Sequence, residues 1–378
     1  MSKRDLILIA GGGTGGHIFP ALSIAKALHQ LTPSIQVHFV GTRQGYESQI
    51  IPEAGFVLHF VSSAKLNQKS SLLRRIWNLA LVAWGCVQSL VLLLYLRPSV
   101  VLGVGGYASA PLVLAASILR IPTALWEPNA TPGMANRLLS RWVHRVFLVF
   151  EKSRSYLRSS QATICGMPVR AEIEKADPAR SARTPSAPFR VLVMGGSQGA
   201  RSLNLNLAQA LEKVSPPLDL CLQVGKQNLQ EMKNLFKSQA WESVPSAADS
   251  IAFKKSGHFL TLHAFLKDIP ERLEWADFVV SRAGASSLAE IAAFGRASLL
   301  VPLDAADQHQ LANALEFQNA SAAVVLDYSA LSPSSLAVNI EELVLHPDRL
   351  HQMSLRARNL FRPGGAEAIA RGLLAMRT

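Results

Sequence analysis

Two stretches, Leu6-Ile-Leu-Ile-Ala-Gly-Gly-Gly-Thr-Gly-Gly-His17 and Val191-Leu-Val-Met-Gly-Gly-Ser-Gln-Gly-Ala200, each run from a β-prone apolar segment through a glycine loop into a helical pattern. Glycine lets the backbone approach a phosphate closely, and the helix that follows offers unpaired amides and a partial positive charge. A diphosphate of any owner suits such a loop. Gly11, Gly13 and Gly16 also satisfy the literal GxGxxG dinucleotide spacing. The acidic ribose partner that should end the second strand is replaced by Gly41-Thr42-Arg43, which disfavours NAD and leaves NADP open through Arg43.

Other residues with chemical capacity cluster around similar turns. His17 opens the helix after the first loop, where the dipole biases imidazole toward neutrality; it reads either as a base or as a capping, structural histidine. Gly103-Val-Gly-Gly-Tyr107 is either a seat for a second anionic group or a tight turn. In the second half, Ser197 sits in the glycine loop, and Ser281-Arg-Ala-Gly-Ala-Ser-Ser-Leu-Ala-Glu290 again passes from strand to helix. Glu290 is placed to accept hydrogen bonds from a ribose diol or simply to stabilise the helix dipole. Asp304, Asp307, His309 and Gln310 form a polar cluster, but no DxD pattern for a divalent cation occurs, so no metal is expected.

The elements that must position these residues follow from the alternation of short apolar runs with helical patterns, which implies parallel sheets. Strands are expected near residues 5–10, 37–42, 99–104, 122–127 and 143–149. After the Pro, Ser and Ala-rich stretch 177–188 they are expected near 189–194, 218–224, 259–264, 276–281 and 298–301. A chain of 378 residues with 49% hydrophobic content exceeds one ordinary core. The fold class is therefore α/β, with two Rossmann-like, doubly wound parallel-sheet domains. Residues 238–257, with little periodicity, are expected to be irregular.

Charge is uneven. Residues 1–167 hold 16 Lys or Arg against 5 Asp or Glu, whereas the remainder holds 22 against 21. The first half is therefore expected to meet an anionic surface. With aromatics at 7% and no finger or RNA-binding signature, nucleic acid is not expected as a partner. Cys86, Cys165 and Cys221 are too widely spaced for a zinc or disulfide framework, and no export signal is expected.

Leu79 to Leu96 is 18 residues without a charge, the lower limit for a membrane span. A polar stripe through Arg74, Asn78, Gly85 and Ser89, and the buried-strand pattern that follows at once, favour a helix packed on the sheet. That helix can also dip into a bilayer surface, with Lys65, Lys69, Arg74, Arg75 and Arg97 as its basic rim.

Taken together, Gly12-Gly13-Thr14-Gly15-Gly16-His17, Gly105-Gly106-Tyr107, Asn129 through Asn136-Arg137, Pro168-Val169-Arg170, Gly195 through Asn204, Ser281 through Glu290, and His309-Gln310 with Asn313 closely resemble the MurG-type N-acetylglucosaminyltransferases. These are inverting, two-lobed glycosyltransferases of the B type, and the match runs nearly end to end. The resemblance implies two domains facing across a cleft. One is an acceptor and membrane-facing domain, 1–167, rejoined by a C-terminal helix, 361–378; the other is a donor domain, 168–360. It implies UDP-N-acetylglucosamine as donor, undecaprenyl-diphosphate-linked N-acetylmuramoyl-pentapeptide as acceptor, and no cofactor. Ser197 would hold the diphosphate, Glu290 the ribose, and Leu266 the uracil through its backbone. Gln310 and the loop Ala285, Ser286, Ser287, Leu288, Ala289 would take the sugar and phosphates. Thr14, Gly15, Gly16, Asn129 and Arg170 would complete the donor site from the first lobe. Gly105, Gly106, Tyr107, Asn136 and Arg137 would meet the acceptor, Asn204 belongs to the second glycine motif, and His17, then Glu127, would be the base. A peripheral position on the cytoplasmic face of the inner membrane, beside other cell-wall synthesis proteins, is implied too.

The chain departs from that family at Trp126-Glu127-Pro128-Asn129, where His-Glu-Gln-Asn is usual, and at Met167, where asparagine is usual. Two other readings follow from the residues: an NADP-dependent oxidoreductase built on the first loop, and a non-catalytic, membrane-associated binder of nucleotide sugars or lipid carriers.

Overall fold

The computed structural model describes residues 5–13, 15–64, 71–106, 108–158, 161–176, 188–196, 199–303 and 309–377. Thr14, Lys65, Lys69, Tyr107, Ser197, Asp304 and Asp307 lie outside them. The chain divides into two compact units, Met1–Arg170 with Arg362–Thr378, and Ala171–Phe361.

In the first unit the strands are β1 (Leu6–Ala10), β2 (Gln36–Gly41), β3 (Val57–Phe60), β4 (Val100–Gly103), β5 (Thr123–Glu127), β6 (Arg145–Leu148) and β7 (Ala162–Ile164). Their order is β3-β2-β1-β4-β5-β6-β7, with every pairing parallel. β1, β4 and β5 are buried along their whole length, as expected of parallel strands covered on both faces. The helices are α1 (Gly15–Leu31), α2 (Glu47–Glu53), α3 (Leu72–Leu96), α4 (Ser109–Ile118) and α5 (Met134–Leu139).

α3 starts seven residues before the apolar run and uses its polar stripe to dock. A Cβ on Gly85 would lie 1.9 Å from the Ser62 carbonyl oxygen, so only glycine allows this approach. The Ser62 amide donates to Gln88 Oε1 at 2.6 Å, and Ser89, Leu93 and Leu96 are buried. The opposite face stays open: Leu73 is 81% exposed, Trp77 66% and Tyr95 73%. α3 is therefore docked along one stripe and leaves a broad apolar face exposed, and by length and composition it is long and apolar enough to cross a membrane.

The second unit carries β8 (Phe189–Met194), β9 (Leu218–Gln223), β10 (Glu242–Val244), β11 (Ser250–Lys255), β12 (His258–His263), β13 (Phe278–Ser281), β14 (Ala297–Leu300) and β15 (Ala323–Val325). Their order is β10-β11-β12-β9-β8-β13-β14-β15, parallel except for the hairpins β10–β11 and β11–β12. Residues 238–257 thus hold two strands where irregular chain was expected. An edge hairpin is held by main-chain bonds and leaves much of its side-chain surface wet, so no continuous apolar run marks it. The helices here are α6 (Ala171–Glu174), α7 (Arg201–Ala210), α8 (Leu229–Ser238), α9 (Ile269–Trp275), α10 (Ala285–Ala293), α11 (His309–Asn319), α12 (Pro333–Leu345) and α13 (Pro347–Leu360).

The last helix, α14 (Gly365–Leu374), returns to the first unit and packs on α1. Two glycines make the return possible. A Cβ on Gly365 would meet the Met167 carbonyl oxygen at 2.8 Å, and one on Gly372 the Phe147 ring at 2.6 Å. Arg377 closes the end with an ion pair to Asp5.

Candidate active site

Each sheet has one topological switch point, where successive connections leave a strand toward opposite edges and the loops splay apart. In the first sheet it lies between β1 and β4, because the chain goes from β1 outward through β2 and β3 and then returns to β4. In the second it lies between β8 and β13. The loops at these points are Gly11–Gly16 with Val104–Gly106, and Gly195–Ala200 with Arg282–Gly284. The glycine motifs picked out by residue type therefore lie at the carboxyl ends of the four strands where an open α/β sheet binds ligands.

In the first unit, His17 is the third residue of α1 and is half-buried. Its ring lies against Gly105: a Cβ there would sit 2.7 Å from Nε2, and Gly105 has φ of +97°. Glycine at 105 thus provides both the left-handed backbone and the room for the imidazole. Gly106, at φ of +78°, lets the β4 loop touch the first loop, since a Cβ would lie 2.4 Å from the Gly12 carbonyl oxygen. The two glycine turns form one surface, and His17 is set into it.

Glu127 ends β5 and is 1% exposed. Its Oε1 accepts from the Asn129 amide at 2.9 Å and Asn129 Nδ2 at 3.1 Å; its Oε2 accepts from the Gly133 amide at 3.1 Å and Asn136 Nδ2 at 2.8 Å. Burial pushes this carboxyl up from the ordinary range, and the four N–H donors pull against that shift. With both oxygens so engaged, Glu127 organises the Asn129–Asn136 loop. Asn136, itself buried, also donates to the Trp126 carbonyl at 3.1 Å. Arg137 donates from Nε to the Pro132 carbonyl at 3.0 Å, and its guanidinium lies 4.9 Å from the Tyr156 ring centroid. Both residues brace the loop. Pro128 lacks an amide proton, but the amides of residues 129 and 133 supply the backbone bonds to Glu127. Arg170 is exposed at the end of the unit.

The literal dinucleotide fingerprint has a different structural cause. Glu47, at the start of α2, is 1% exposed and accepts from the Gly13 amide at 2.7 Å. A loop amide that a dinucleotide would need is already bonded to the protein's own carboxylate. Arg43, the residue that kept NADP open, has its guanidinium 5.3 Å from the Phe60 ring centroid. Sequence reasoning passed over Glu47, although it is the only acidic residue between Asp5 and Glu53. Beside it lies a cavity of about 1010 Å³ lined by Gly13, Arg43, Phe60, Ser62, Arg74 and Trp77, among others. It joins the glycine loop to the base of the apolar helix α3.

In the second unit, Gly199 has φ of +76° and approaches β9 so closely that a Cβ would lie 2.0 Å from the Val224 carbonyl oxygen. Gln223 Nε2 donates to the Gly196 carbonyl at 3.0 Å. Asn204, fully buried, points Nδ2 at the Val224 carbonyl, 3.4 Å away, and so ties α7 to β9. Gly284 caps α10, whose first residues Ala285, Ser286 and Ser287 are half-buried and begin the helix where amides lack intrahelical acceptors. The Leu288 amide donates to the Gly284 carbonyl at 3.0 Å, and the Leu288 and Ala289 side chains are buried. Those two side chains pack inward, whereas Ala285, Ser286, Ser287 and Glu290 are half-buried. Gln310 Oε1 accepts from the Leu303 amide at 2.9 Å, and buried Asn313 donates to the Ala283 carbonyl at 3.2 Å, pinning the turn before α10. Leu266 is 2% exposed, packed into the core of the unit. Because β12, β8, β13 and β14 are mutually parallel through the sheet, all these segments leave the same edge.

Among the described residues no group of three or more His, Cys, Asp or Glu is placed to hold a metal ion. Burial pushes the Cys165 and Cys221 thiols up to about 12, which leaves them inert.

Two α/β units, each with glycine turns and a helix N-terminus at its switch point, have the architecture with which open α/β sheets bind phosphorylated ligands. Residues 7–148 match the glycosyltransferase family 28 N-terminal domain and residues 190–369 the family 28 C-terminal domain. A Bdellovibrio bacteriovorus protein named UDP-N-acetylglucosamine--N-acetylmuramyl-(pentapeptide) pyrophosphoryl-undecaprenol N-acetylglucosamine transferase is 41% identical, over 99% of this chain and all of that protein. A Geobacter sulfurreducens protein of the same name is 34% identical over 98% of each. The crystal structure of Acinetobacter baumannii MurG superposes with a TM-score of 0.76 at 26% identity, covering 98% of this chain and 99% of that one. The chain belongs to glycosyltransferase family 28 and, within it, to the MurG-type N-acetylglucosaminyltransferases.

Proposed function

We propose that this glycosyltransferase moves N-acetylglucosamine from UDP-N-acetylglucosamine to the 4-hydroxyl of undecaprenyl-diphospho-N-acetylmuramoyl-pentapeptide, completing the lipid-linked disaccharide of peptidoglycan synthesis. The observation that carries this reading is the full-length likeness to transferases of that name, coupled with glycine turns at both switch points. The second unit binds the donor: the Gly195–Ala200 loop and the start of α10 take the diphosphate, and Glu290 the ribose hydroxyls. The first unit binds the acceptor at the joined turns around His17, Gly105 and Gly106. His17 removes the proton from the acceptor hydroxyl as its oxygen bonds to the anomeric carbon. The bond from that carbon to the diphosphate breaks, UDP leaves with the electron pair, and the configuration inverts. Helix amides facing the departing diphosphate stabilise its charge. No cofactor takes part.

Transfer of labelled N-acetylglucosamine from its UDP donor to the muramoyl-pentapeptide lipid by pure protein tests the reading. Donor binding without any transfer would overturn it and favour the non-catalytic binder.

The acceptor is a lipid, and the first unit has the surface to reach one. Its apolar α3 face stands beside Arg74, Arg75 and Arg97, within a half of the chain that carries nearly all the net positive charge. The protein works peripherally on the cytoplasmic face of the inner membrane, with α3 lying at the lipid surface. It is expected to sediment with anionic liposomes and to be released by salt, each basic residue near the surface contributing about 1 kcal/mol. Equal sedimentation with neutral liposomes would remove the electrostatic part of the claim.

A further inference from the structure

We propose that Glu47 is a positioning residue for catalysis: its buried carboxylate takes the place of a bound anion under the first glycine loop and so fixes the turn that presents His17. The inference rests on the reading of His17 and that loop as the acceptor side.

A buried carboxylate is costly unless donors surround it. Glu47 has three: Oε2 accepts from the Gly13 amide at 2.7 Å, and Oε1 accepts from the Thr42 amide and the Thr42 hydroxyl, both at 2.9 Å. Its charge shortens and strengthens these bonds. The surrounding backbone is shaped to its volume. A Cβ on Gly12 would lie 2.3 Å from Glu47 Cδ, one on Gly41 2.6 Å from Cγ, and one on Gly45 1.9 Å from Oε2. Three glycines, one in the first glycine loop, one ending β2 and one just before α2, leave room for one carboxylate. Gly11 has another cause, since a Cβ there would lie 2.3 Å from Val104 Cγ2 and 2.7 Å from the Gly105 carbonyl oxygen.

The glycine richness that resembles a phosphate site is thus used internally here. Glu47 clamps the first loop from below, Gly105 and Gly106 meet it from the side, and His17 follows four residues after the clamped amide. Loosening the clamp lets the imidazole drift from the acceptor hydroxyl. A misplacement of about 1 Å in such a geometry costs on the order of 100-fold in rate.

The test is a double-mutant cycle with the lipid acceptor. Glu47→Gln keeps the shape but turns an N–H group toward N–H donors. It is expected to lower kcat by about 10- to 100-fold with the KM for UDP-N-acetylglucosamine and the UDP-induced shift in Tm unchanged. In a His17→Ala background the same substitution should have little further effect, because it acts through that ring. Equal losses in both backgrounds would assign Glu47 a general structural role and overturn the proposal, as would a wild-type kcat for Glu47→Gln. Should Glu47→Gln not fold, Thr42→Val, which removes only the hydroxyl donor, runs through the same cycle with a smaller expected loss. Normal turnover of His17→Ala alone would instead refute the base assignment.

Discussion

His17→Ala is expected to lower kcat by about 10²- to 10⁴-fold, the range that a positioned general base supplies. The KM for UDP-N-acetylglucosamine should hardly move if, as proposed, the second unit holds the donor's diphosphate and ribose. Single-turnover transfer to the lipid acceptor, with UDP binding measured in parallel, checks the split. Glu290→Ala is the matched control: it should weaken UDP binding about 10-fold or more, the effect of losing charge-assisted hydrogen bonds to the ribose. A His17→Ala enzyme that turns over normally would return His17 to a packing role against Gly105, the alternative its contact there already allows.

Glu127→Ala should act on stability before it acts on chemistry. It would strand two backbone amides and two asparagine side chains in a region where Glu127 is 1% and Asn136 6% exposed. At about 1–3 kcal/mol for a stranded buried group, partly relieved by relaxation, a loss of roughly 3 kcal/mol is expected. Thermal unfolding should fall by roughly 6–12 °C in a unit of this size. The measurement also separates two roles. If Tm stays within a degree or two while turnover collapses, Glu127 is the base and the four hydrogen bonds are secondary.

Much of the fold was legible because parallel interior strands are continuous apolar runs: Leu6–Ala10, Val100–Gly103 and Thr123–Glu127 are buried at every residue. The edges were not. Val57–Phe60 is only partly buried, Ala162–Ile164 is three residues long, and the hairpin containing Ser250–Lys255 is stabilised chiefly by main-chain pairing. None has a periodicity that distinguishes it from a loop. The same contrast holds in the site. The glycine turns were readable from type and order, whereas the difference between a ligand contact and a brace was not. Asn136, Arg137, Asn204 and Gln310 carry the right polar groups, yet each has hydrogen bonds to its own unit.

The sequence by itself determined the two-unit α/β plan, the family and the glycine turns, because these depend on local composition and on the order of motifs along the chain. Tertiary structure alone decided what fills those turns. The spacing of Gly11, Gly13 and Gly16 is that of a dinucleotide loop, but Glu47, 34 residues beyond Gly13, folds beneath it and takes the amide. An amide proton is bonded by the nearest acceptor in space, whatever its distance in sequence.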